Sequence, residues 1–128
     1  MPIEVEWDNA EQTILRLDFH APWNWEAYEA AVLKSSQMIG TAAQPVVMIV
    51  NGATIEQLPQ GALSHFRQSE FLVPDNLGCI CVVNANPLIR LVISTVGKLS
   101  PQIGKRLQIA DSLEEARRHV GHEANLSV

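Results

Sequence analysis

Residues 45–66, PVVMIVNGATIEQLPQGALSHF, decide the fold. The run from Val46 to Val50 is apolar, rich in β-branched residues and free of polar alternation. Such a run reads as an interior strand covered on both faces, as in a parallel sheet. A polar loop with a glycine at Gly61 follows. Residues 61–72, GALSHFRQSEFL, then read as a helix whose end is marked by Pro74. A strand joined through such a loop to a helix is the unit from which α/β proteins are built, and the loop is where they often place function.

The same unit recurs downstream. LGCICVV, residues 77–83, is a second unbroken apolar strand. It leads through NANP into PLIRLVISTVGKL, residues 87–99, with Asn86 as N-cap and Pro87 in the first turn. KRLQIA, residues 105–110, reads as a last short strand. DSLEEARRHVG, residues 111–121, is a helix with a capping box at Ser112 and Glu115, basic residues Arg117, Arg118 and His119 at its negative end, and Gly121 as its stop. Residues 122–128 read as a flexible tail.

Upstream the pattern changes. IEVEW, residues 3–7, and TILRLDFH, residues 13–20, both alternate, so each is a half-buried strand, and the short polar DNAEQ between them predicts a hairpin. Leu15, Leu17 and Phe19 face one way; Arg16, Asp18 and His20 face the other. In the helix at residues 21–40, Asn24 is the N-cap, Glu26 suits the positive end of the dipole, and Trp23 with Tyr28 occupy the positions of a hydrophobic staple. Trp25, Tyr28, Val32 and Ile39 form its apolar stripe. Gly40 is placed as a left-handed stop.

The expectation is a single α/β domain over residues 1–121. A mixed sheet of about five strands, an antiparallel N-terminal hairpin followed by parallel βα units, carries about four helices and right-handed crossovers. With 128 residues, 47% of them hydrophobic, the chain has material for a real core. A net charge of −5, with 9 basic residues and no basic stripe, argues against nucleic acid and anionic membranes as partners. The acidic N-terminus is unlike a signal peptide, and no run approaches the roughly 18 apolar residues of a membrane span. A cytoplasmic protein is expected.

In this order of elements the chain resembles the STAS domain, shared by sulfate transporters and anti-sigma-factor antagonists. The strings that carry the resemblance are TILRLDF leading to WNWEAY, the join VVMIVNGATIEQLPQGAL, and RLQIADSLEEARRHV. The resemblance covers about residues 3–121, and the three strings look like the stand-alone bacterial members. The resemblance implies a phosphorylatable Ser or Thr at the start of the second helix, in an Asp-Ser-Ser/Thr-Gly pattern. Aligning that glycine on Gly61 places Leu58, Pro59 and Gln60 on the other positions, and none accepts phosphate. Asn51 stands where the family's strand often ends in Asp. Thr54 and Ser64, the nearest hydroxyls, miss the switch position, so no phosphorylation site is expected. The superfamily also shares its layout with CRAL-TRIO-type lipid-binding domains, which implies a small apolar ligand or lipid as an alternative.

Read from the residues, catalytic chemistry is weakly represented. Arg16, Asp18 and His20 share a strand face; Asp18 and His20 are the candidate acid–base pair, and pairing with Glu4 and Glu6 across the hairpin is the alternative. No nucleophile elbow, dinucleotide fingerprint or phosphate loop occurs. His20, His65, His119 and His122 lack metal-binding spacing, and His119 and His122 are separated by the expected helix stop at Gly121. Cys79 and Cys81, on one face of one strand, cannot form an ordinary disulfide and read as reduced core residues. No cofactor or metal is expected. Trp23 and Trp25 read as core plus staple.

Two surfaces remain. Backbone N–H groups near Pro59, Gln60 and Gly61 could dock an anion or partner, or Pro59 simply sets the first helical turn. In residues 87–99, Leu88, Ile89, Leu91, Val92, Ile93, Val96 and Leu99 span roughly 200° of the helical wheel, whereas a single buried face needs roughly 100°. Either neighbours wedge this helix on several sides, or Leu88, Ile89, Ile93 and Val96 form a dimer interface, a partner site or the lip of an apolar pocket. Gly97 would let a second backbone approach. The expected function is a non-enzymatic regulatory or protein-interaction module, a homodimer. The alternative is a binder of a small apolar ligand near the second and third helices.

Overall fold

A computed structural model describes residues 2–52, 55 and 57–118. Thr54, His119, Gly121, His122 and the tail at residues 122–128 lie outside the described residues. In chain order the elements are β1 (Ile3–Trp7), β2 (Ile14–Phe19), α1 (Trp25–Gly40), β3 (Val46–Asn51) and α2 (Ala62–Gln68). A 3₁₀ turn at Ser69–Leu72 follows, then β4 (Leu77–Val83), α3 (Pro87–Leu99), α4 (Pro101–Gly104) and β5 (Leu107–Ala110). A last helix, α5, covers residues 113–118.

The fold is a single α/β domain with a five-stranded sheet in the order β1-β2-β3-β4-β5. β1 and β2 are antiparallel, and every later pair is parallel. The hairpin turns on Asn9, whose side-chain oxygen accepts from the backbone N–H of Thr13 and Ile14 at 3.0 and 3.2 Å. Because each parallel strand lies beside its predecessor, crossovers of one hand bring their helices to one face of the sheet. Ala31 and Ile39 of α1, Ile89 and Val96 of α3 and Ile103 of α4 pack there against Leu15, Leu17, Ile80 and Val82. α5 follows the final strand and is not a crossover. It covers the opposite face, where Ala116 is buried with Ile49, Cys79, Cys81, Val83 and Ala110. The two cysteines are unbridged and buried in this second core.

Three helix starts follow the capping chemistry of the sequence. Asn24 accepts from Ala27 N–H at 2.8 Å, Asn86 from Ile89 N–H at 2.9 Å, and Ser112 from Glu115 N–H at 3.1 Å. Other local expectations are corrected. α1 does not end in a left-handed glycine: it runs through Gly40 to Thr41, whose φ is −94°. The Asn76 side chain donates to the carbonyl of Ile39 at 2.6 Å, so a terminal carbonyl is satisfied without a left-handed turn. Pro59 does not set the first turn of α2, which begins at Ala62 with Gly61 as a left-handed N-cap at φ +90°. Gln68 ends the α-helical part, and the remainder of the expected helix is the 3₁₀ turn. β5 is shorter than expected because α4 and its following turn take up the chain as far as Arg106. Arg106 holds that turn to the sheet through the carbonyl of Leu77 at 2.8 Å.

Candidate functional site

The helical layer does not fill the space above the sheet. A cavity of about 190 Å³ lies between them. Leu17 and Phe19 of β2, Met48 and Val50 of β3, and Ile80 and Val82 of β4 form its floor. They are the inward set that period-two strands provide. α1 supplies one wall through Tyr28, Val32 and Ser35, α3 another through Ile89, Ile93 and Val96, and Ile55, Leu58 and Phe66 roof it. Among the described residues no charged side chain lines it, and Leu72, 40% exposed, stands in its lining.

The roof is pinned from both sides. The Trp25 indole N–H donates to the carbonyl of Gln60 at 2.6 Å, and the Trp25 ring stacks on His65 at 4.4 Å. His65 Nδ1 lies 3.0 Å from a carboxylate oxygen of Glu29. Edge-to-face contacts of Trp25 and Tyr28 with Phe66 complete the seam between α1 and α2. On the other side, the Asn86 side chain donates to the carbonyl of Ile55 at 2.7 Å. One polar pair sits in this setting: Tyr28 Oη and Ser69 Oγ are 2.7 Å apart, and the Ser69 hydroxyl donates to the carbonyl of His65 at 3.1 Å. Burial pushes the Tyr28 hydroxyl pKa up to about 12 against the opposing effect of the Ser69 contact. Tyr28 is therefore neutral throughout the ordinary pH range.

The residues singled out in the sequence divide between this cavity and other places. Ile89, Ile93 and Val96 line it, while Leu88 is half-buried outside its lining. Gly97 does admit a second backbone, that of Gly104 in α4. Gln60 and Gly61 belong to the roof's attachment, with Pro59 just before them. The cavity itself had no signature in the sequence beyond the excess apolar arc of α3.

Asp18 and His20 are not brought together as an acid–base pair. Asp18 is held by Arg16 at 2.7 Å and accepts from the Asn51 side chain at 3.2 Å. His20, its side chain 52% exposed, pairs with Glu4 at 3.6 Å. The strand register sets Glu6 opposite Arg16 and Glu4 opposite Asp18. Oxygens of Glu4, Glu6 and Asp18 approach one another within 4.8 Å. The Arg16 guanidinium contacts Glu6, Asp8 and Asp18 at 2.5, 2.6 and 2.7 Å, so it supplies the positive charge this cluster needs. Among the described residues, no helix is long and apolar enough to cross a membrane. No protein-family model matches the chain, and no curated protein matches it.

Proposed function

We propose that this chain is a non-enzymatic, STAS-like module that holds a small apolar ligand in the cavity between the sheet and α1, α2 and α3. The observation that carries the reading is the cavity itself, about 190 Å³ with no charged side chain among its described lining. The cavity is partly open to solvent and its surface is almost entirely apolar, as small-molecule sites are. Water is a poor occupant of so apolar a space, whereas an engineered cavity of roughly 150 Å³ stays dry and takes benzene. The order of elements, a hairpin and then βα units, supports the STAS-like part of the reading. With Leu58, Pro59 and Gln60 before Gly61, the proposal includes no phospho-switch.

Calorimetric titration with toluene tests it. Saturable binding is expected, and Val50→Phe, which turns a ring into the cavity from its floor, is expected to abolish binding and raise the Tm. No binding to the wild-type chain, or unchanged binding to the variant, would overturn the reading.

A second reading, a homodimer, is supported by Leu63, Leu91 and Leu99. They are 45, 65 and 46% exposed on α2 and α3. Leu63 and Leu99 share one surface groove with Ser64, Arg67 and Gln68. Light scattering on the wild type and on Leu91→Glu decides it: a concentration-dependent dimer that the substitution dissociates supports it, and a monomer throughout sinks it.

A further inference from the structure

The sequence has no basic stripe, but the fold brings separate cations to one flank. Arg67 on α2 and Arg90 and Lys98 on α3 are exposed, and none of them pairs with a carboxylate among the described residues. Arg16 and Arg117, by contrast, are held by Asp8 and its neighbours. α2 and α3 carry no Asp or Glu, and none occurs from Asn76 to Ala110, in a chain that has 14. Glu4, Glu6, Asp8 and Asp18 lie on or beside β1 and β2, whereas α3 crosses from β4 to β5. At roughly 4.8 Å per strand the separation is about 10–20 Å, longer than a Debye length of about 8 Å at physiological ionic strength. Glu29 of α1 is turned to His65, 3.0 Å away. The net charge of −5 therefore does not describe this flank, which is locally positive.

The same flank carries exposed leucines. Leu63 of α2 and Leu99 of α3 share a groove with Arg67. Leu91 is 65% exposed, and the step of two helical turns from Leu91 to Lys98 sets both on the outer face of α3. We infer that this face of α2 and α3 docks on a membrane surface bearing anionic lipids, with the leucines in the interface and the three cations among the headgroups. Leucines set among cations are the composition of helix faces that lie in a lipid interface. A protruding leucine such as Leu91 needs no matching pocket in a fluid surface. A second copy fits less well, because a two-fold contact lays the patch on its own counterpart and sets Arg67, Arg90 and Lys98 against like charges. The inference uses the leucines of the homodimer reading and is independent of what the cavity holds.

Flotation of the full chain with lipid vesicles tests it. Binding is expected to phosphatidylcholine vesicles containing about a third phosphatidylglycerol, not to phosphatidylcholine alone, and is expected to weaken as salt shortens the Debye length. Lys98→Gln is expected to weaken binding about five-fold, the attraction of one cation to such a surface, and the triple variant Arg67→Gln, Arg90→Gln, Lys98→Gln about a hundredfold. Arg118→Gln removes a cation from α5, on the opposite face of the sheet, and is expected to leave binding unchanged. Leu91→Ser keeps every charge and is expected to weaken binding severalfold. No binding to the anionic vesicles, equal losses for Lys98→Gln and Arg118→Gln, or unchanged binding of Leu91→Ser would each overturn the inference. A dimer that Leu91→Glu dissociates, together with no vesicle binding by the wild type, would assign the face to a second copy instead.

Discussion

Ser100, between α3 and α4, is fully buried, and its Oγ has no hydrogen-bond partner among the described residues. A hydroxyl taken out of water without compensation is destabilising by about 1–3 kcal/mol. Ser100→Ala removes the orphaned group and leaves the backbone bonds of Ser100 to Val96 and Gly104 intact. It is expected to raise the stability by about 1 kcal/mol, measured as a shift in the urea midpoint at constant slope. Residues whose role is local were legible in the sequence. Asn24, Asn86 and Ser112 cap because a short side-chain acceptor beside free backbone N–H groups has the same chemistry in any fold. The end of α1 was only partly legible, because its carbonyls are satisfied by Thr41 and Ala42 and, from the approach to β4, by Asn76.

At the scale of elements, α3 and α4 meet at two glycines with unequal roles. A Cβ on Gly104 would lie 2.3 Å from the backbone oxygen of Gly97, whereas a Cβ on Gly97 would meet nothing closer than the Gly104 Cα at 3.9 Å. Gly104→Ala is expected to be destabilising by about 3 kcal/mol, because backbone must move to admit the methyl group. Gly97→Ala is expected to be stabilising by roughly 0.5–1 kcal/mol, as alanine generally is in a helix interior. Thermal denaturation of the two variants side by side checks both signs. The wide apolar arc of α3 was legible from its spacing, but what covers it was not. Ile89 and Val96 meet the sheet, Ile93 faces the cavity, and Leu91 is 65% exposed. α4 escaped notice because a single helical turn has no period to read. The cavity escaped because missing volume belongs to no residue.

The molecule as a whole is closed by Asp8. Its side chain, 3% exposed, receives Arg16 at 2.6 Å from β2 and both Nε and Nη2 of Arg117 at 2.7 Å from α5. The Arg117 hydrogen bond and the two guanidinium charges hold the Asp8 pKa below its ordinary 3.8 despite the opposing effect of burial. A carboxylate whose pKa is depressed on folding contributes stability that is present above the unfolded value and is lost as pH falls through the folded one. Asp8→Asn is therefore expected to lower stability at neutral pH by roughly 2–3 kcal/mol. It is also expected to flatten the acid limb below pH 3.8, seen in denaturation midpoints measured from neutral to acid pH. Because α5 covers Cys79 and Cys81, Arg117→Ala is expected to speed their labelling by a thiol reagent at pH 8 severalfold. An unchanged rate would show that α5 is held by its apolar contacts alone.

The strand order has a consequence for how the chain is made. Each strand pairs with the one synthesised just before it, so a chain emerging from a ribosome always presents its next strand to a waiting edge. No strand has to be held open for a later arrival, although each parallel pair still waits for its crossover to be made. The bond between Arg117 and Asp8 is different, since it reaches back across 109 residues. It forms only after the whole sheet has left the exit tunnel. Until then the cysteine-bearing face is bare, which makes it the surface a nascent-chain chaperone would meet.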